Sequence, residues 1–115
     1  MSIVVPLEQL SDTIDEFGSL AFLLSTGKDG RPRAVSVEVT VVEGQIRAPI
    51  GNRTAANIVA QPLVCLLWPT VGKDRLSLIV DGQGQVLSGV GADRGGDTVL
   101  IRPTSAVRHQ SAAPA

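Results

Sequence analysis

Aromatic side chains are almost missing from this chain: one tryptophan, two phenylalanines and no tyrosine in 115 residues. Aliphatic residues must therefore fill whatever core it builds. The hydrophobic fraction of 43% is that of a folded protein rather than a disordered one. Cysteine is equally scarce. The lone Cys65 excludes an internal disulfide and a multi-cysteine metal site, and it lies in the apolar run LVCLLW, where a buried, inert thiol is expected. His109 is the single histidine and sits among polar residues near the C-terminus. A histidine zinc site or a Ser–His catalytic pair has little to work with, and no metal is expected. Neither sign of charge dominates: ten Lys and Arg face eleven Asp and Glu, for a net charge of −1. That balance gives no reason to expect nucleic acid or an anionic membrane as a partner. No apolar run approaches the length of a membrane span, and no basic segment followed by an apolar run opens the chain. The expected location is cytoplasmic.

The length supports one core and not two. Residues 1–103 are expected to form a single domain, and residues 104–115, small and polar, a flexible tail. A helix is predicted over residues 7–17. Pro6 stands at its start and Gly18 at its stop, and Leu7, Leu10, Ile14 and Phe17 form one apolar face. Residues 20–26 read as a buried strand. The Asp29-Gly30 turn leads into a strand over residues 33–42, where Val35, Val37, Val39 and Val41 alternate with Ala34, Ser36, Glu38 and Thr40. Glu43-Gly44 turns the chain into a strand over residues 45–50, with Ile46, Ala48 and Ile50 toward the core. A short helix over residues 55–60 ends before Pro62, and an apolar strand follows to residue 69. Strands are predicted over residues 75–80 and 85–90. Asp81-Gly82 is either a turn between them or a bend in one long strand. A glycine-rich loop at residues 91–96 precedes a last strand over residues 97–102. The sum is a mainly β (α+β) fold of six to seven antiparallel strands with two short helices, able to hide its edges by curling into a barrel.

Asn52, Arg53 and Thr54 stand where a strand meets the short helix. The first turn of a helix has unpaired N–H groups and a partial positive charge, so a hydroxyl and a guanidinium there suggest a phosphate seat. The alternative is plain capping by Asn52 or Thr54, with Arg53 solvated. The glycine-rich segment lacks the lysine and the strand-to-helix setting of a P-loop.

Three stretches, AFLLSTGKDGRPRAVSV, NRTAANIVAQPLVCLLW and SLIVDGQGQV, resemble in their order and spacing the FMN-binding split β-barrel family, the pyridoxamine 5′-phosphate oxidase-like proteins. The resemblance covers residues 7–103. It implies a homodimer with FMN, or alternatively a deazaflavin, in a groove between subunits. It implies that Arg33, Arg53 and Thr54 meet the cofactor phosphate, joined by Asn52, with Ser36 and Arg47 along the groove. Trp68 is available to stack on a planar ligand, and the alternative for a lone tryptophan at a strand end is a core or dimer contact. Asn57 and Pro62 match the family's helix-to-strand signature as structural residues. Two positions depart from the pattern. Glu38 stands where the family often has a lysine, and a carboxylate near a phosphate is repulsive. Thr54 stands where a second cation is common, leaving a hydroxyl donor in its place.

The resemblance implies an oxidoreductase whose cofactor performs the chemistry while the protein orients and stabilises it, with an unknown substrate. The alternative is a non-catalytic protein holding a flavin or another anionic ligand. A third reading is a structural dimer with no cofactor. A dimer would also cover the apolar excess of residues 35–41 and 63–68, because a chain this short buries only about 60–70% of its unfolded surface alone.

Overall fold

The computed structural model describes residues 1–70, 76–89 and 96–112. In chain order the elements are β1 (Ser2–Val4), a 3-10 turn (Leu7–Gln9), α1 (Leu10–Phe17), β2 (Leu20–Thr26), β3 (Pro32–Glu38), β4 (Thr40–Val42), β5 (Gln45–Ile50), α2 (Asn52–Ala60), β6 (Leu63–Trp68), β7 (Leu76–Leu87) and β8 (Asp97–Gln110). Every pairing among the described residues is antiparallel. The sheet runs β3-β2-β6-β7-β8-β5-β4, with β1 added to β8. β3 and β5 come into contact where the sheet curls, and α2 packs on β2, β7 and β8. This is an antiparallel split β-barrel with two helices, as the sequence predicts.

Strict alternation gives the barrel its filling. β2 turns Ala21, Leu23 and Ser25 inward, β6 turns Val64, Leu66 and Trp68 inward, and β5 turns Ile46, Ala48 and Ile50 inward. Leu23, Ile46, Ile58, Leu66, Trp68, Leu78, Val80, Val99 and Ile101 are almost wholly buried. Eight of these nine are aliphatic, which answers the shortage of aromatic side chains.

α1 lays Leu10, Thr13 and Ile14 on this core and stops at Gly18, whose φ of +97° is a conformation that suits glycine. The Glu43-Gly44 turn has positive φ at both residues, 53° and 77°, the signature of a tight hairpin whose twist matches its strands.

Four features differ from the sequence expectation, and a fifth decides between two readings that it left open. The strand predicted over residues 33–42 breaks into β3 and β4 at Val39. Val37 and Val39 are both buried, and the Val39 N–H donates to the Ser19 carbonyl at 2.7 Å, so the chain bends there to follow the core. The short helix begins at Asn52, three residues earlier than expected. Gly51 is its N-cap and no side chain caps it, so the capping reading of Asn52 and Thr54 is set aside. The strands predicted over residues 75–80 and 85–90 are one strand, and Asp81-Gly82 is the bend. Opposite it Thr104 is the extra residue of a bulge, since Asp81 pairs with Ser105 and Gly82 with Pro103. A Cβ on Gly82 would lie 2.7 Å from Ile101 Cγ2 and 2.8 Å from the Arg102 carbonyl oxygen, so the close approach of the strands requires glycine. β1 was not foreseen, being three exposed residues with no periodicity to read. The loop expected after residue 69 and the glycine-rich segment lie mostly outside the described residues.

The largest difference is the tail. The expected flexible segment from residue 104 is strand as far as Gln110. It is held on one side by residues 76–81 of β7 and on the other by β1. Arg108 bonds Glu16 at 2.9 Å and its guanidinium lies 5.6 Å from the centre of the Phe17 ring, tying β8 to α1. His109 Nδ1 meets the Ser2 hydroxyl at 3.0 Å. Small polar residues hide this strand from sequence reading because its partners, not its own apolar pattern, hold it in place. A chain ending after Arg102 should therefore lose cooperative thermal unfolding by circular dichroism. An unchanged melting curve would mean that the segment contributes nothing to the fold.

Candidate functional site

The β2–β3 hairpin and the start of α2 enclose a pocket of about 570 Å³ lined by Gly27, Lys28, Asp29, Arg33, Asn52, Arg53, Ala56 and Asn57. The hairpin loop is shaped by two backbone bonds, from the Gly27 N–H to the Arg31 carbonyl and from the Gly30 N–H to the Gly27 carbonyl, both 2.9 Å. Gly30 takes φ +79° to close it. The loop carries Lys28 and Asp29, and Arg33 follows on the first turn-proximal residues of β3. Across the pocket α2 begins. Its first backbone bond runs from the Ala55 N–H to the Gly51 carbonyl at 3.0 Å. The amides of Asn52, Arg53 and Thr54 therefore have no acceptor within the helix, and no side chain among the described residues caps them.

Three cations and one carboxylate line this pocket. Asp29 holds its two arginine neighbours loosely, with Arg33 at 3.6 Å and Arg31 at 3.7 Å, and accepts the Arg31 backbone N–H at 3.1 Å. These groups are largely exposed, so the ion pairs are weak and open to exchange for another anion. Arg53 is in no ion pair among the described residues. Asn57 is buried behind the pocket and its amide meets the Ser25 hydroxyl on β2 at 3.5 Å, which pins the helix to the sheet. Its structural role is the one the sequence suggested.

The sequence-predicted residues divide. Arg33, Asn52 and Arg53 come together in this pocket. Thr54 does not line it. Its side chain faces inward and is buried, because position 54 falls on the same helical face as Ala55 and Ile58. Ser36 lies three residues from Arg33 on β3 and so projects from the opposite face, beside Phe22 of β2. Arg47 lines a different pocket, with Glu38, Thr40, Val42, Ala48, Pro49, Leu87 and Thr98. Glu38 thus stands in Arg47's pocket and not in that of Arg33 and Arg53. Trp68 is a correction: it is 1% exposed, and its indole N–H donates to the Gly18 carbonyl at 2.9 Å. An inward strand position and a satisfied donor make it a core residue that fastens β6 to the end of α1, with no face left for a planar ligand. Lys28 was missed. Its only sequence signal was a cation placed directly before the Asp-Gly turn.

The outer face of the sheet carries a second feature. Phe22 pairs with Leu67, Leu67 with Ile79, Ile79 with Val107 and Val107 with Val4. These five residues form an apolar row straight across β2, β6, β7, β8 and β1. All are at least partly exposed, Val4 at 75% and Phe22 at 41%.

Beside this row Cys65 faces Asp81 across the β6–β7 ladder. Burial, the Asp81 charge and a hydrogen bond to that carboxylate together push the thiol up to about 11. At pH 8 only about a thousandth of it is thiolate. Alkylation by iodoacetamide at pH 8 should be about a hundredfold slower in the native chain than in urea, rising tenfold per pH unit toward pH 11. The unfolded thiol releases its proton first, so this group's contribution to stability falls as pH rises between about 9 and 11. Equal native and unfolded rates would contradict the shift.

No family model matches the sequence. The uncharacterized protein Mb0449c of Mycobacterium bovis is 40% identical over 91 residues, 79% of this chain and 56% of that protein. The chain thus spans about half the length of the curated relatives it matches. Among solved structures, a candidate pyridoxamine 5′-phosphate oxidase from Listeria innocua superposes with a TM-score of 0.73 at 18% identity, over 92% of this chain and all of that one. A FAD-binding protein from Mesorhizobium loti gives 0.69 at 14% identity over 94% and 96% of the two chains. An F420 reductase gives 0.68 at 17% identity over 83% and 94%. With the strand order and the two helices described above, these superpositions show that the chain has the split β-barrel fold of the pyridoxamine 5′-phosphate oxidase-like proteins.

Proposed function

We propose that this protein is a flavin- or deazaflavin-dependent oxidoreductase whose cofactor phosphate sits against Arg33, Asn52 and Arg53. The observation that carries the reading is the convergence of Lys28, Arg33 and Arg53 with the uncapped amides of α2 in one pocket. Guanidinium groups and helix amides both favour a phosphate over a neutral group, and the pocket volume falls in the range of small-molecule sites. Those residues fit the phosphate end of FMN or of a deazaflavin nucleotide. Structural neighbours named as a FAD-binding protein and an F420 reductase support the same ligand class.

When bound, the cofactor would supply hydride or electron transfer. The chain's own contribution is binding and orientation. Arg53, free of any carboxylate among the described residues, is the primary anchor. Arg33 joins it by exchanging Asp29 for the phosphate. Asn57 keeps the two sides of the pocket in register. The substrate class is left open by these residues, none of which is placed as a general acid or base.

The cofactor groove is proposed to lie at a homodimer interface. The row from Phe22 to Val4 supports this, since a second copy would cover an apolar band that water otherwise faces. Sedimentation should give a dimer at micromolar concentration. Phe22→Asp should shift it toward monomer, and a stable native monomer would remove the interface.

The second reading is a binding protein without turnover. Asp29 favours it, because a carboxylate beside Arg33 weakens the seat for an anion. One set of measurements separates the readings. The purified protein should take up FMN or a deazaflavin, seen in its visible absorbance, and Arg53→Ala should weaken uptake about tenfold. Bleaching of the bound band by NADH or NADPH and its return in air marks an oxidoreductase. Uptake without bleaching by either donor marks a binding protein, and no uptake of FMN or deazaflavin overturns both.

A further inference from the structure

The pocket that holds Glu38 and Arg47 is unexplained by the phosphate seat. It has a volume of about 410 Å³ and lies on the outer side of β4, β5, β8 and β7. The register builds it. Thr40 pairs with Arg47, Pro49 with Thr98, and Thr98 with Leu87, so these side chains project together from one face of four strands. Glu38 joins them from the end of β3, where the bend at Val39 turns the chain from one half of the barrel to the other.

The chemistry of its wall is amphoteric. The ion pairs among the described residues are those of Asp29 with Arg31 and Arg33 and of Glu16 with Arg108. Glu38 and Arg47 line the same pocket, carry opposite charge and do not pair with each other or with anything else described. Between them the outward side chains are apolar: Val42, Pro49 and Leu87. Opposite charges that share a pocket without closing on each other leave room for a ligand with two charged ends. The apolar wall would cover a hydrocarbon body between those ends.

We propose that this pocket binds a small zwitterion with an aliphatic body, its cationic end on the Glu38 carboxylate and its anionic end on the Arg47 guanidinium. Two features of the site separate this class from its competitors. A simple anion would gain from Arg47 and be repelled by Glu38, and a simple cation would meet the reverse. A molecule carrying both charges meets an opposite charge at each end and a like charge at neither. The inference stands apart from the phosphate seat, which uses other residues, and it holds whether or not the protein binds a flavin.

The test is titration of the full chain, followed by amide NMR, with 6-aminohexanoate as the zwitterion and hexanoate and hexylamine as single-charge controls. The expected result is that 6-aminohexanoate shifts the amides of Thr40, Arg47 and Thr98 and binds about threefold to fivefold more tightly than either control. Glu38→Gln should bring its affinity down to that of hexanoate, and Arg47→Gln to that of hexylamine. Arg53→Ala should leave it unchanged, which separates this site from the phosphate pocket. Both charge changes are at exposed strand positions, and the spectrum itself reports whether each variant is folded. No shift at these amides with any of the three compounds overturns the proposal. So does an affinity for 6-aminohexanoate that Glu38→Gln leaves intact.

Discussion

The ladder between β7 and β8 is the constraint on which the rest of the molecule rests. It joins twelve residue pairs, from Leu76 with Gln110 to Leu87 with Thr98. Among the described residues no other pairing joins the two halves of the barrel. The far side of β7 carries β6 and through it β2 and β3. The far side of β8 carries β5 through residues 97–101 and β1 through residues 107–109. Two strands of this length cannot stay flat against a closed core, and the bulge at Asp81-Gly82 and Thr104 is where they turn. The Thr104 hydroxyl donates to the Asp81 carbonyl and the Ser105 hydroxyl to the Asp81 carboxylate, both at 3.2 Å, so the irregularity is itself bonded.

Bending also decides where charge can gather. The break at Val39 divides what would be a single strand into a part that belongs to the hairpin of Arg33 and a part that belongs to the hairpin of Arg47. Two arginines that looked like partners along one groove become members of two pockets. The Glu38 carboxylate belongs to the second pocket, away from the phosphate seat. Charges close along the sequence thus meet different neighbours, because a strand's face changes with every residue and its sheet can change at every bend.

Much of the fold was legible because alternation and helical spacing are local. Residues 20–26 and 45–50 were readable to the residue, and the turns at Asp29-Gly30 and Glu43-Gly44 carried the residues their conformations demand. What stayed hidden had its cause elsewhere in the chain. β1 and the end of β8 pair with each other, β1 exposed and the end of β8 mostly half-buried without alternation, so no pattern within either announces a strand. The start of α2 was displaced because Gly51 does the capping without a side chain, and nothing in a glycine says which of its neighbours begins the helix. In the site, Asn52 and Arg53 were legible as polar residues at a strand-to-helix junction, and Arg33 through the family resemblance alone. Lys28 was not, since only the closing of the hairpin loop brings it across from α2. Trp68 was read as a possible stacking surface because the bond that occupies its indole comes from Gly18, fifty residues earlier.

That bond has a spectroscopic consequence. Trp68 is the one tryptophan of a chain without tyrosine, so it supplies essentially all of the near-ultraviolet fluorescence. An indole enclosed by hydrocarbon emits at shorter wavelength than one in water, and the carbonyl it donates to fixes its orientation. Its colour therefore reports the integrity of the joint between α1 and β6 and is insensitive to what occupies the surface pockets. A chromophore bound at the surface would still dim it by energy transfer across the barrel wall. A single side chain thus separates two events that are usually confounded: a red shift records opening of the core, and loss of intensity at constant wavelength records the arrival of a coloured ligand.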